Sequence, residues 1–273
     1  MRKRSGAIVC PNCERLVDVQ APECPFCGHP APGRFGYGPA IQKMFGKFDL
    51  SVAIIGASVA LYVLALILDP RGIFRMRGMF DFLSPTSGAL AVLGMTGGFA
   101  IAQGRWWTLL TAIFLHGSLL HLLFNMVITR QYLPNVIDLY GSSRAWVIFV
   151  AGGVVGFLLS NLAMGVPTIG ASGAIFGLLA ALIVYGRRTK QTHVTQQLWM
   201  SALVMFAFGF LMPSVNNWAH AGGFAGGFVA AEALSFSDRR ASRWLLALAW
   251  GSAFLVVAAF GLQIVRLILL LMS

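Results

Sequence analysis

Three short polar stretches of an otherwise apolar chain contain the side chains best suited to catalysis. They read HGSLLHLLFNM, GASGAIFG and NNWAHAGGFAGG, and they hold His116, His121, Asn125, Ser172 and His220. A serine hydroxyl is a weak nucleophile until a neighbouring base, most often a histidine, takes its proton. Ser172 and His220 are therefore candidates for a nucleophile and its base.

Ser172 lies in a setting that differs from that of other serines in the apolar segments. A serine in a membrane helix usually hydrogen-bonds the carbonyl one turn earlier, and Ser160 and Ser201 fit this ordinary role. Ser172 is flanked by Gly170 and Gly173, which permit a sharp entry into a helix. The first N–H groups of such a helix are unpaired and can stabilise a developing oxyanion.

His220 begins a second glycine-rich stretch. A single histidine in such a position is commonly a packed or interfacial residue. Small residues spaced four apart let two membrane helices approach closely, which favours a contact that brings Ser172 and His220 together. The glycines at this spacing are Gly173 and Gly177 after the serine, and Gly223 and Gly227 after the histidine.

His121 and Asn125 are spaced to share one face of a helix. Ser118 resembles an N-cap, which places both residues just inside the end of that helix. There they can donate hydrogen bonds to an oxyanion beside the Ser172 N–H, or they can join neighbouring helices. His116 precedes the cap and is expected to brace the first outer loop.

The carboxylates favour a dyad over a triad. Glu232 follows His220 on the same predicted helix, but about 1.5 Å per residue places it roughly 18 Å away. Asp69 and Asp81 lie in the predicted first outer loop, and their position leaves a role open.

All four cysteines lie near the N-terminus, in the pattern C-x2-C-x10-C-x2-C. Two such pairs suit thiolate binding of one structural Zn²⁺, whereas two disulfides would each close a strained loop. Thiolates persist in a reducing compartment, so we expect a cytosolic zinc ribbon over residues 1–33, with no partner indicated. The predicted ligands are Cys10, Cys13, Cys24 and Cys27.

The composition excludes a soluble enzyme. Of the 273 residues, 58% are apolar and only 11% are charged, with a mean hydropathy of +0.77. Soluble domains have about 25% charged residues. The net charge of +11 raises the question of nucleic acid. No nucleic-acid partner is expected, because the basic residues flank apolar segments instead of forming one patch.

Seven apolar segments are candidates to cross a bilayer core of about 30 Å. With the N-terminus inside, most of the 20 Lys and Arg residues fall on the cytosolic side. This predicts an all-α polytopic protein of the plasma (inner) membrane with a cytosolic N-terminus and an external C-terminus. The segments are 50–68, 109–129, 145–164, 168–186, 198–212, 219–235 and 244–272, and the fifth is the shortest.

A long, partly apolar outer loop over 69–108 is expected to lie in the membrane interface. The predicted organisation of the whole chain has four parts. The parts are the cytosolic ribbon 1–33, a linker 34–47, a six-helix core 48–236 and an additional C-terminal transmembrane helix within 237–273.

Together these motifs resemble those of the rhomboid intramembrane serine proteases, over about residues 50–236. The matching patterns are His116-x4-His121-x3-Asn125, Gly170-x-Ser172-Gly173-x3-Gly177 and His220-x2-Gly223-x3-Gly227, in the family's order. The resemblance implies the six-helix rhomboid fold. It also implies that Ser172 is the nucleophile and His220 the base, with Phe176 stacked on the histidine and an oxyanion hole formed by His121, Asn125 and the Ser172 N–H.

Two further features bear on this resemblance. Asp138, Gly141 and Arg144 are similar to a charged turn that the family has after its second helix. Many members have Trp-Arg in the first outer loop, whereas here Thr108 follows Trp107 and Arg105 precedes it.

The resemblance implies an endopeptidase that cleaves transmembrane segments near the outer membrane face and needs no cofactor for catalysis. Its substrates would have helix-destabilised segments, because a peptide bond inside a helix cannot be attacked. The first alternative is a non-proteolytic rhomboid-like protein that binds membrane proteins as a chaperone, but Ser172 and His220 are intact. The second is a transporter, but the chain has no internal repeat.

Overall fold

Helices form nearly all of the regular structure in the computed structural model. The structure describes residues 5–10, 15–26, 28–33, 49–74, 82–212, 215–234 and 243–272. Cys13, Cys27, Asp81 and the predicted linker 34–47 lie outside these residues, so the predictions made for them are not addressed by the fold.

A small β-hairpin near the N-terminus brings two of the four cysteines into one apolar cluster. Strand β1 (Ala7–Val9) pairs antiparallel with β2 (Leu16–Asp18). Cys10 and Cys24 are both buried with the apolar side chains of this hairpin. The backbone closes a turn around each cysteine: the Cys10 N–H donates to the Arg15 carbonyl at 2.9 Å, and the Gly28 N–H donates to the Cys24 carbonyl at 2.8 Å.

Ten α-helices follow within the described residues. The first predicted span agrees with its helix at both ends. The helices are α1 (Leu50–Leu68), α2 (Ser87–Leu93), α3 (Gly98–Ala102), α4 (Thr108–Thr111), α5 (Leu119–Tyr140), α6 (Ser142–Ala163), α7 (Ser172–Arg188), α8 (Thr192–Leu211), α9 (Asn217–Ala233) and α10 (Arg243–Met272).

The second predicted span, 109–129, is wrong as a single helix. The chain forms α4 and a 3₁₀ turn at Ala112–Phe114, bends by 91° and begins α5 at Leu119. Ser118 makes the new start, because its backbone is extended and its Oγ accepts a hydrogen bond from the His121 N–H at 3.2 Å. The predicted cap is therefore present, but it starts a second helix.

Other predicted boundaries shift for local reasons. Helix α7 begins at Ser172 instead of residue 168, because Gly170 has a φ of +118° that no helix accommodates. The fifth predicted segment, 198–212, was expected to be the shortest. This is wrong, because the corresponding helix α8 extends over 20 residues. The remaining predicted spans differ from their helices by a turn or less. The predicted outer loop 69–108 is partly helical, since it contains α2 and α3.

Helix α7 lies at the centre of the bundle. It is buried along nearly its whole length and packs against α5, α6, α8 and α9. Among the described residues, α1, α6, α8 and most of α10 are long and apolar enough to cross a membrane, and α4 with α5 forms a further, bent candidate. Helices α7 and α9 are shorter, at 17 residues each.

Candidate active site

Ser172 and His220 meet at the N-terminal ends of α7 and α9. The His220 Nε2 lies 3.0 Å from the Ser172 Oγ, which is within hydrogen-bond distance. The Phe176 ring, one turn into α7, stacks on the imidazole with ring centroids 4.5 Å apart and an interplanar angle of 23°. His220 is 7% exposed, so little of its side chain is open to solvent.

The contact between α7 and α9 depends on glycines at the crossing. A Cβ placed on Gly223 would lie 2.2 Å from the carbonyl oxygen of Gly173, and one on Gly227 would lie 2.1 Å from the Cα of Gly177. Because the obstructing atoms belong to the backbone, no rotamer change relieves the overlap. The paired glycine faces therefore set the helix separation that brings the serine and histidine together.

Helix α6 completes this close-packed group. A Cβ on Gly156 would lie 2.5 Å from the Ala219 carbonyl oxygen, in the residue before His220. A Cβ on Gly152 would lie 3.1 Å from the Cα of Gly177. Both ends of the Ser172–His220 contact are thus supported by backbone against backbone, which leaves little freedom for the two helices to slide.

His121 lies against the turn that leads into α7. A Cβ on Gly170 would be 2.7 Å from the His121 Nε2, so this position admits only glycine both for space and for its positive φ. The residue that caps α7, Ala171, offers no side-chain acceptor to the amides of the first turn. The His121 ring therefore lies against the residue two before Ser172, next to a helix start whose amides have no side-chain cap.

Asn125 lies one turn further along α5 and is buried. Its Nδ2 donates to the His121 carbonyl at 2.8 Å, and its Oδ1 has no hydrogen-bond partner among the described residues. In this arrangement the Asn125 amide is bound to its own helix. The Nδ2 carries two hydrogens, so the second one is available to donate to another acceptor such as an oxyanion.

His116 packs behind His121. Its ring is fully buried, meets the His121 ring edge-on at 5.1 Å, and places Nδ1 3.3 Å from the Phe114 carbonyl oxygen. These contacts support the position of His121, and the role of His116 as a brace for the first outer loop stays a prediction.

The described residues place no carboxylate behind the histidine. The His220 Nδ1 is buried and has no hydrogen-bond partner in this part of the chain. Glu232 forms an ion pair with Arg188 at the C-terminal ends of α9 and α7, away from Ser172 and His220. Asp69 binds Arg71 and accepts a hydrogen bond from the Thr86 hydroxyl at 2.8 Å. Within the described part of the chain, the serine and histidine are thus paired without a carboxylate.

Asn216 is a positioning residue that the sequence interpretation missed. Its Oδ1 accepts from the N–H groups of Trp218 and Ala219 at 3.1 and 3.3 Å, so it caps α9 one turn before His220. Its Nδ2 donates to the Ser160 Oγ at 2.6 Å and to the Thr168 Oγ1 at 3.1 Å. The cap therefore ties the start of α9 to α6 and to the loop before α7.

Ser160 is consequently not the ordinary helix serine that the sequence suggested. It is fully buried, and its recorded partners are Asn216 and Thr168 instead of a carbonyl one turn earlier. Ser201 does have the expected bond, to the Gln197 carbonyl at 3.0 Å. An asparagine directly before a helical stretch was the available signal for the cap, but its partners lie 48 and 56 residues away in sequence.

The two remaining features of the resemblance have clear local structures. Gly141, between α5 and α6, has a φ of +82°, and Arg144 donates to the Tyr140 carbonyl at 3.4 Å. Thr108 is buried, and its hydroxyl donates to the Arg105 carbonyl at 2.7 Å. A threonine at this position therefore closes a turn of the loop.

Fold and site together define a class: a helical, multi-pass membrane protein with a serine and a histidine paired where two glycine-packed helices begin. Comparison with known proteins agrees. The model of the Rhomboid domain matches residues 103–236. The chain belongs to the rhomboid family.

The chain is similar to several proteins of this family. It is 36% identical over 154 residues to Rhomboid protease GluP of Bacillus subtilis. The matched region covers 55% of this chain and 30% of GluP. It is 30% identical over 135 residues to "Putative rhomboid protease YdcA" of the same organism, covering 47% of this chain and 67% of YdcA. With RHOMBOID-like protein 7 of Arabidopsis thaliana it shares 28% identity over 196 residues, covering 64% of this chain and 63% of that protein.

Proposed function

We propose that the chain is an intramembrane serine endopeptidase that uses Ser172 and His220 to cleave transmembrane segments of other proteins. The observation that carries the proposal is the 3.0 Å contact between the Ser172 Oγ and the His220 Nε2. That distance is the one a nucleophile and a general base require. The names of GluP and YdcA support the same reaction.

The reaction follows from the positions of the two side chains. The Ser172 Oγ attacks the substrate carbonyl carbon while the His220 Nε2 takes the hydroxyl proton. His220 then gives that proton to the leaving amine, and the bond between the carbonyl carbon and the amide nitrogen breaks. A water molecule, deprotonated by the same nitrogen, then attacks the acyl carbon. The bond from that carbon to the Ser172 Oγ breaks, and the Oγ takes the proton back from His220.

The negative charge on the carbonyl oxygen is assigned to the space beside Gly170. We assign the Ser172 N–H and the His121 ring as donors there, because His121 lies against Gly170. Asn125 adds its second Nδ2 hydrogen, while the first stays bonded to the His121 carbonyl. Donors fixed in this way stabilise the tetrahedral intermediate more than the planar substrate. His116 contributes by holding the His121 ring.

The substrates are assigned to membrane proteins with a helix that unwinds easily near the outer face of the bilayer. A helical backbone hides its peptide carbonyls in hydrogen bonds, so cleavage needs a locally extended segment. The proposed orientation has seven crossings, a cytosolic N-terminus and an external C-terminus in the plasma (inner) membrane. Reporter fusions after Lys190 and Arg243 are expected to be cytosolic, and a fusion after Ser273 external; the reverse pattern would contradict it.

The N-terminal hairpin is proposed to bind one structural Zn²⁺ through Cys10, Cys13, Cys24 and Cys27. The burial of Cys10 and Cys24 in one cluster, each in a hydrogen-bonded turn, fits a pair of zinc knuckles. Such a small core needs the metal to fold. Metal analysis of the purified chain should give about one zinc per chain, whereas disulfides in freshly prepared protein would contradict both the metal and the cytosolic location.

The test of the protease proposal is labelling by a fluorophosphonate together with cleavage of a purified reporter substrate. Ser172→Ala is expected to lose both signals. Ser201→Ala is the matched control, because that hydroxyl only bonds its own helix and should retain both. If wild-type protein is neither labelled nor able to cleave, the non-proteolytic binding protein becomes the better account.

A further inference from the structure

Two buried polar side chains away from the dyad have atoms without a hydrogen-bond partner among the described residues, although the Arg105 guanidinium also lies over the Phe99 ring, 5.1 Å from its centroid. Arg105, in the loop before α4, is 4% exposed, and its Nε and Nη1 have no hydrogen-bond acceptor. Gln263 of α10 is also 4% exposed, and neither of its amide atoms is paired. Leaving such groups unpaired in a buried site is costly, so a ligand that pairs them would be stabilised there.

Both side chains line one cleft of about 170 Å³, formed where α10 packs on α2 and the loop before α4. The polar lining is completed by Gln103 and Arg266, while Val92 and Leu267 form apolar walls. The Gln263 amide reaches the end of α2, because a Cβ on Gly94 would lie 2.6 Å from its Nε2. The polar groups that line the cleft therefore come from two separate segments of the chain.

The charge in this cleft is positive. Burial, followed by the nearby charge of Arg266, lowers the pKa of Arg105, although an arginine remains protonated. The ion pairs recorded among the described residues involve neither Arg105 nor Arg266. Two guanidinium groups that face one space without a carboxylate favour an anion between them.

We propose that this cleft binds the phosphate group of an anionic phospholipid. Arginine donors and an amide N–H suit phosphate oxygens, and basic pockets between membrane helices hold lipid headgroups. The outward side chains of α10 near Gln263 are apolar and exposed, at Ile264, Ile268 and Leu269, which gives the acyl chains a surface to follow. Free phosphate has the same chemistry at the arginines but would not use that surface.

The site joins α10 to the loop that precedes α4. The bound headgroup would place one negative charge between the two arginines and link these segments. The inference is independent of the proposed proteolysis, since it needs only that the chain lies in a bilayer.

The experiment uses the full chain, purified in detergent and stripped of lipid. Native mass spectrometry and thermal unfolding are measured with added phosphatidylglycerol, phosphatidylcholine or inorganic phosphate. Phosphatidylglycerol is expected to remain bound to the wild type and to raise its unfolding temperature. Arg105→Gln and Arg266→Gln should each weaken this binding about tenfold to a hundredfold, the usual effect of losing a hydrogen bond to a charged group.

Arg71→Gln is the matched control, because it removes one positive charge from a highly exposed position in the predicted outer loop. It should bind phosphatidylglycerol like the wild type, and unfolding without lipid identifies any variant that is simply misfolded. Equal loss in Arg71→Gln and Arg105→Gln would overturn the site, as would no preference for phosphatidylglycerol over phosphatidylcholine. Arginine-dependent stabilisation by inorganic phosphate alone would overturn the lipid as the source of the phosphate.

Discussion

Gly223→Ala tests whether the close approach of α7 and α9 sets the Ser172–His220 contact. The added Cβ would lie 2.2 Å from the carbonyl oxygen of Gly173 and 2.7 Å from its Cα. Ordinary contacts begin at 3.4 Å, so the two backbones must separate by about 1 Å. Gly173 is the neighbour of Ser172, and Gly223 is one turn from His220, so the separation acts directly on the dyad.

The magnitude follows from this displacement. A hydrogen bond of 3.0 Å that lengthens by about 1 Å no longer transfers a proton effectively. A misplacement of about 1 Å costs on the order of a hundredfold in rate, and overpacking costs about 1–3 kcal/mol in stability. We expect Gly223→Ala to remain folded at moderate temperature while its kcat falls about a hundredfold.

Cleavage of a purified reporter substrate and thermal unfolding are measured on the same preparation. Gly251→Ala is the matched control, because a Cβ there meets no atom within 4 Å and alanine favours the helix. It should be fully active. A Gly223→Ala protein with wild-type kcat would refute the reasoning, since the dyad geometry would then not depend on the glycine crossing.

Four further predictions concern individual side chains. Ser172→Ala, His220→Ala and the double variant should be equally inactive, because nucleophile and base act as a unit; additive losses would contradict the dyad. Asn125→Ala should lower kcat roughly 10²–10³-fold, with residual activity above background, since other oxyanion donors remain. Asn216→Ala should lower stability by about 1 kcal/mol and should change kcat more than it changes KM. Asn216→Asp should recover the cap. An unchanged kcat in the alanine variant would exclude the positioning role. Glu232→Gln should cleave almost normally, because its ion pair with Arg188 is half-exposed at the far helix ends, and such pairs contribute about 0–1 kcal/mol; strong inactivation would point to a buried third group.

Local sequence signals predicted a large part of the fold. The 50–68 segment is charge-free and ends at Asp69 and Pro70, so α1 could be placed to the residue. The break before α5 was not visible in hydropathy, because 109–129 is apolar on both sides of Ser118. A bent pair of helices differs from a single straight span only in the direction that the chain takes after the Ser118 cap, and the hydropathy does not show that direction.

The site was predictable where its residues share a short motif. The glycines that follow Ser172 and His220 already indicated a close helix crossing, and their Cβ clearances agree with it. The Asn216 cap was not predictable in the same way. Its partners Ser160 and Thr168 come from other elements, and no local pattern specifies that three distant polar side chains will converge.

Helix length explains how a polar dyad can work below the surface of a bilayer. Helices α7 and α9 have 17 residues each, about 26 Å, whereas the hydrocarbon core is about 30 Å thick and the neighbouring α6 has 22 residues. The Arg188–Glu232 ion pair joins the far ends of the two short helices and favours a position at a polar membrane surface, which is the inner one in the proposed orientation. In that orientation Ser172 and His220, at the opposite ends, lie a few ångströms inside the outer surface. Water needs only that short distance to reach the acyl group, through a space bordered by His121 and the first turn of α7.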